Sequence, residues 1–163
     1  MLSFSDSTLL PTLINTLAVQ KIFKPTDIQS QSIIPLLDGK SVMGVSETGS
    51  GKTLAYALPL IHKIKSLELA GSAVSKSSHP RGLILVPGRE LGEQVSKVLK
   101  GLTHETRLRV RTALGGAKKK VSRKSVSGVF EILVATPGRL ENLVSDGELN
   151  LSDVHTVVFD EAD

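Results

Sequence analysis

Apolar residues in this chain recur with two different periods. Leu9, Leu10, Leu13, Ile14 and Leu17 fall at helical spacing, and Asp6 or Ser7 offers a cap for that helix. A second helix is predicted over 27–37, with Thr26 as N-cap after Pro25; Pro35 is expected to kink or shorten it. Short β-branched runs follow: SVMGV (41–45), GLILV (82–86), RVRTAL (109–114), EILVA (131–135) and TVVFD (156–160). Helical stretches are predicted between them at 52–69, 90–102 and 138–145. Strands alternating with helices imply βαβ units, and therefore an α/β fold whose parallel sheet carries helices on both faces. The Ser-rich segment 71–80 reads as an exposed loop.

Composition narrows the function classes. The 163 residues are 40% hydrophobic and 22% charged, which suits one domain spanning 1–163 with a sizeable core. Absence of cysteine excludes disulfides, thiolate nucleophiles and zinc–thiolate sites, and fits a reducing, intracellular location that we expect to be cytoplasmic. The first ten residues lack a basic n-region, and no apolar run reaches the roughly 18 residues a membrane span needs, so no membrane role is expected. A net charge of +4 points towards a polyanionic partner.

The candidate chemistry begins with SETGSGKT, residues 46–53. A predicted strand runs into a loop containing Gly49 and Gly51, and a helix opens at Lys52. That is the context of a phosphate-binding P-loop formed by Ser46, Glu47, Thr48, Gly49, Ser50, Gly51, Lys52 and Thr53. Glycines let backbone N–H groups turn inward around phosphate oxygens, and the helix presents its positive end. Lys52 would reach the β- and γ-phosphates and Thr53 would ligate Mg²⁺. A glycine loop that merely caps a buried helix is the alternative. Serine at 46 stands where the pattern has glycine or alanine. At the other end of the chain, the run TVVFD delivers Asp160 and Glu161 at a strand tip. One carboxylate there can hold Mg²⁺ and the other can orient an attacking water, unless the pair is an ordinary acidic turn.

The tetrapeptide 160–163, together with the P-loop, resembles the DEAD-box family of ATP-dependent RNA helicases. Further segments match in order. KIFKPTDIQ (21–29) resembles the family's Q motif, although Lys21 replaces a glycine and Ile22 an aromatic residue. The resemblance implies that Gln29 hydrogen-bonds the adenine edge, that Thr26 supports the P-loop, and that Phe4 stacks on the base. PGRELG (87–92) resembles the PTREL motif, with Gly88 in place of threonine; Gly115-Gly116 matches the GG element, and Thr136-Pro137-Gly138-Arg139 the TPGR element. By the same resemblance, Pro87, Arg89, Gly115, Gly116, Thr136, Pro137, Gly138 and Arg139 hold the sugar-phosphate backbone of single-stranded RNA. Aromatics make up 3% of the chain and tryptophan is absent, so a base-stacking platform is not expected.

The resemblance implies a RecA-like P-loop NTPase domain, with a Q-motif region at 1–40 and a P-loop core at 41–163. It implies catalysis through Lys52, Asp160 and Glu161, with Mg²⁺ on Thr53 and Asp160. Its cofactors would be ATP and Mg²⁺, and its partners RNA and a second RecA-like domain of the parent chain. Family members continue past the DEAD tetrapeptide with a strand that lies between the P-loop strand and the strand ending in Asp160. We therefore expect an incomplete sheet, and no turnover from residues 1–163 alone. Two other readings stay open: a P-loop helicase acting on DNA, and an RNA-binding module without catalysis. The basic run KKKVSRK (118–124) is equally readable as an RNA contact or as a solvated face. His62, His79, His104 and His155 show no metal-like spacing and read as structural or surface residues.

Overall fold

The computed structural model describes residues 1–116 and 118–161, the Lys119 side chain excepted. Its centre is a parallel sheet of β1 (Gly82–Leu85), β2 (Val110–Ala113), β3 (Ile132–Ala135) and β4 (Thr156–Phe159), in the order β2-β3-β1-β4. The helices are α1 (Pro11–Val19), α2 (Asp27–Leu37), α3 (Lys52–Leu69), α4 (Arg89–Thr103), α5 (Lys119–Ser125) and α6 (Pro137–Ser145).

Strand alternation divides the core into two layers. Ile84, Val110, Ile132 and Val134 face one side, where they join Leu58, Ile61 and Ile64 of α3 and Val95, Leu99 and Leu102 of α4. Leu83, Ala113, Leu133 and Ala135 face the other, against Val126, Phe130, Leu143 and Leu149. Both layers are apolar because both faces are covered, which is why ILVA of β3 is buried at every position. The expected α/β fold with a parallel sheet and helices on both faces is therefore observed.

At the lower rim, the buried Glu131 accepts from Arg109 Nε at 2.9 Å and Nη2 at 2.6 Å, and from Arg109 N at 3.2 Å. Glu131 also gives its backbone carbonyl to Arg81 N and Gly82 N. One side chain thus ties the start of β3 to β2, while its backbone ties it to β1.

Three local expectations are corrected. Residues 41–45 form no strand: Met43 and Val45 are 92% and 89% exposed. β-Branched composition allows extension, but a strand exists only where a neighbour accepts its backbone groups, and among the described residues none pairs with this segment. Helix α1 is capped by neither Asp6 nor Ser7. Leu10 occupies its N-cap and Pro11 its first turn, a position where a missing N–H costs nothing. Asp6 instead closes a 3₁₀ turn at Phe4–Asp6, accepting from Ser3 N at 2.9 Å. Finally, α2 is not shortened at Pro35, which falls in its last turn; the end is closed by Asp38 N donating to Ile34 O at 3.0 Å.

Candidate functional site

The parallel register aligns the strand tips. Leu85 lies beside Ala135 and Phe159, and Ala113 beside Ala135. Pro87, Gly115, Thr136 and Asp160 therefore leave the sheet along one upper rim. Ligands of open α/β sheets gather at this carboxyl edge.

On one side of the rim stands the P-loop. Gly49 and Gly51 have φ of +82° and +88°, the left-handed region in which glycine is least strained. Gly51 caps α3, and its carbonyl accepts both Ala55 N at 3.2 Å and Gln29 Nε2 at 3.1 Å. Gln29 Oε1 in turn accepts Thr26 N at 2.9 Å at the start of α2. The space is closed: a Cβ on Gly51 would lie 2.3 Å from Gln29 Nε2 and 3.0 Å from Thr26 Oγ1. Thr26 and Gln29 are thus brought onto the loop. The Ser46 and Ser50 hydroxyls bond each other at 2.7 Å across it. Glu47 and Thr48 are exposed, whereas Lys52 and Thr53 are half-buried on the first turn of α3. Phe4 differs from expectation, because its ring is 2% exposed and belongs to the core.

Asp160 continues β4, donating its N–H to Leu85 O at 2.9 Å. Its Oδ2 accepts the Tyr56 hydroxyl at 2.6 Å, which joins α3 to the tip of β4. Burial and the adjacent carboxylate push the Tyr56 pKa far above its ordinary range, and the nearby Thr53 hydroxyl pulls the other way and less. Tyr56 therefore stays protonated and donates. Sequence reasoning missed it; the available signal was the chain's single tyrosine, set one turn after Thr53 on the P-loop helix. Glu161 is exposed at φ +53°. Ala162 and Asp163, the rest of the tetrapeptide, lie outside the described residues.

Across the rim the other segments meet. Thr136 Oγ1 accepts Gly115 N at 2.8 Å, and Thr136 N donates to Ala113 O at 3.0 Å. A Cβ on Gly116 would lie 3.6 Å from Arg89 Cδ, so the GG turn and the start of α4 are neighbours. Arg89 pairs with Glu93 at 3.1 Å on an exposed helix face. Gly92 lets α4 approach β2, since a Cβ there would lie 2.5 Å from Leu114 Cδ2. Pro87 and Gly138 are exposed, Pro137 opens α6, and Arg139 is half-buried.

Known proteins resemble the chain over most of its length. A family model described as DEAD/DEAH box helicase matches residues 26–163. The chain belongs to this family. Among similar proteins, the ATP-dependent RNA helicase dbp10 of Schizosaccharomyces pombe is 41% identical over 92% of this chain and 18% of its own length. DEAD-box ATP-dependent RNA helicase 5 of Arabidopsis thaliana is 41% identical over 91% of the chain and 28% of its length. The probable ATP-dependent RNA helicase YfmL of Bacillus subtilis is 38% identical over 86% and 35%. The chain thus spans 18–35% of the length of these relatives.

Two further features lie beside these segments. Gly88 caps α4 in extended conformation. The basic run forms α5, with Lys118, Lys120, Arg123 and Lys124 exposed and Arg123 3.7 Å from Asp146. Among the described residues, no three His, Cys, Asp or Glu side chains cluster as a metal cage. A P-loop Mg²⁺ needs none, because one or two protein oxygens plus phosphates and water complete its shell. Thr53 and Asp160 fit that donor set. No helix among the described residues is long and apolar enough to cross a membrane.

Proposed function

We propose that this chain is the ATP- and RNA-binding part of an ATP-dependent RNA helicase that remodels RNA duplexes at the expense of ATP. The observation that carries the reading is the Thr26–Gln29–Gly51 connection, which fixes a buried amide against a P-loop on the rim where the other motif segments converge. It is supported by family membership and by the names of the relatives.

Gln29 spends one lone pair on Thr26 N and one N–H on Gly51 O. An amide has one further acceptor position and one further donor, the complement of an adenine edge. Guanine reverses that edge. Lys52 and the loop N–H groups take the phosphates, and Thr53 and Asp160 would hold Mg²⁺, which supplies charge neutralisation at the transferring phosphoryl group. Glu161 orients the attacking water. On the other half of the rim, Arg89, Arg139, Thr136 and the backbone of Pro87, Gly115, Gly116, Pro137 and Gly138 take RNA phosphates, contacts that position a strand without reading its bases. A second RecA-like domain is the expected partner of the rim, and an intracellular, cytoplasmic site of action fits the cysteine-free composition.

The test is calorimetric titration of the chain with ADP and with GDP. ADP is expected to bind more tightly by about 1–3 kcal/mol, the cost of leaving the buried Gln29 amide unpaired. Equal affinities would remove the adenine-reading role.

A further inference from the structure

The hydroxyl of Tyr56 has no place in the scheme above, yet it makes the shortest contact to a carboxylate assigned to Mg²⁺. We propose that Tyr56 is a positioning residue for the divalent-cation site, holding Asp160 Oδ2 so that Oδ1 is left for the cation or its water. The inference rests on the nucleotide-binding reading and names a residue that reading does not need.

Two observations point the same way. The contact is 2.6 Å between oxygens, a length typical of a charge-assisted O–H···O⁻ bond. The donor is anchored on α3, three residues after Thr53, so one rigid turn carries both the hydroxyl expected on the cation and the group that orients its carboxylate partner. A carboxylate at a strand end can rotate about χ2, and a fixed donor on one oxygen selects one orientation. Outer partners of this kind typically account for about 10–100-fold in metal affinity.

A tie that only fastened α3 to β4 would look identical in a static structure, so the test must read the cation. The ratio of ADP affinities with and without Mg²⁺ is measured for the 163-residue chain and for Tyr56→Phe, which keeps the ring. The concentration of Mg²⁺ needed for half its effect on ADP binding is expected to rise about tenfold in the variant. In an Asp160→Asn background the same Tyr56→Phe change is expected to have no effect on that ratio, because the oriented charge is already gone. A variant with lowered melting temperature but the parent's Mg²⁺ dependence would overturn the positioning role and leave a structural tie. A parent chain with no Mg²⁺-dependent ADP binding would instead overturn the nucleotide reading itself. Should Tyr56→Phe fail to fold, Mn²⁺ titration of the parent and Asp160→Asn chains with ADP decides by itself: equal Mn²⁺ affinities mean that no oriented Asp160 carboxylate serves the cation, which overturns the proposal.

Discussion

The two halves of the upper rim are held by different means. On the PGREL, GG and TPGR half, each segment springs from a strand whose neighbours are hydrogen-bonded to it, and Thr136 stitches two segments together at 2.8 Å. On the P-loop half no strand precedes the loop. Its position depends on the first turn of α3, the Gln29–Gly51 bond and the Ser46–Ser50 bond. A ladder distributes the cost of a local defect over many bonds, whereas a loop fixed by a few contacts is only as good as each of them. The two halves should therefore respond differently to single substitutions.

The sharpest break is Gly51→Ala. A Cβ there meets Gln29 Nε2 at 2.3 Å, and the backbone has φ of +88°. Left-handed strain and overpacking together are expected to cost about 2–4 kcal/mol. ADP binding should disappear while RNA affinity changes little, measured by calorimetry and by fluorescence anisotropy on the same preparation. Loss of both in equal measure would erase the distinction between the halves.

Thr136→Val probes the other half with a smaller change. The side chain keeps its shape but leaves Gly115 N without its acceptor, for an expected loss of about 1–2 kcal/mol in chemical denaturation. Here the ladder should keep the strands in register, so ADP affinity stays as it was. A drop in ADP affinity would show that the stitch serves both halves.

Arg89→Ala and Arg139→Ala sharpen the picture at the level of single phosphates. Each should weaken RNA of every sequence alike and flatten the log K against log salt plot by about 0.7 per lost phosphate contact. A change confined to particular sequences would mean that bases are being read.

The smallest effect belongs to His62, which sits far from the rim. Its Nδ1 accepts Leu10 N at 3.1 Å, fastening the start of α1 to α3, and burial lowers its pKa. The unfolded chain therefore takes the proton first as pH falls. This contribution is complete above about pH 6.5 and is lost as pH drops through the folded value. Thermal unfolding at pH 7.5 and 5.5 should show the decline, and His62→Gln, whose oxygen accepts without titrating, should flatten it. An equal decline in both proteins would exclude the imidazole.

Much of this was legible in the chain. Helix α3 spans Lys52–Leu69, the predicted 52–69, because Gly51 stops the loop and the apolar period starts at once. The strands at 82–86 and 131–135 were visible since burial on both faces needs continuous apolar runs, and those at 109–114 and 156–160 through their β-branched residues. SVMGV misled because local preference cannot report whether a neighbour exists to pair with. Tyr56 and Asp160 stand 104 residues apart, and no periodicity links them. Glu131 reads as an ordinary polar residue until the fold buries it against Arg109. Such contacts are properties of the assembled sheet.

Strand β4 ends the sheet, pairing among the described residues with β1 alone, and Val157 and Phe159 on it are 44% and 65% exposed. Open backbone groups beside β-branched and aromatic side chains, with neither lysine nor proline to blunt them, form a template for another extended chain. In colloidal terms, such an edge left uncovered would make the lifetime of the dispersed molecule a function of its concentration. The net charge of +4 opposes encounters between such rims, over a range of about 8 Å at physiological ionic strength. Added salt would shorten the distance at which two of these edges begin to ignore their mutual repulsion.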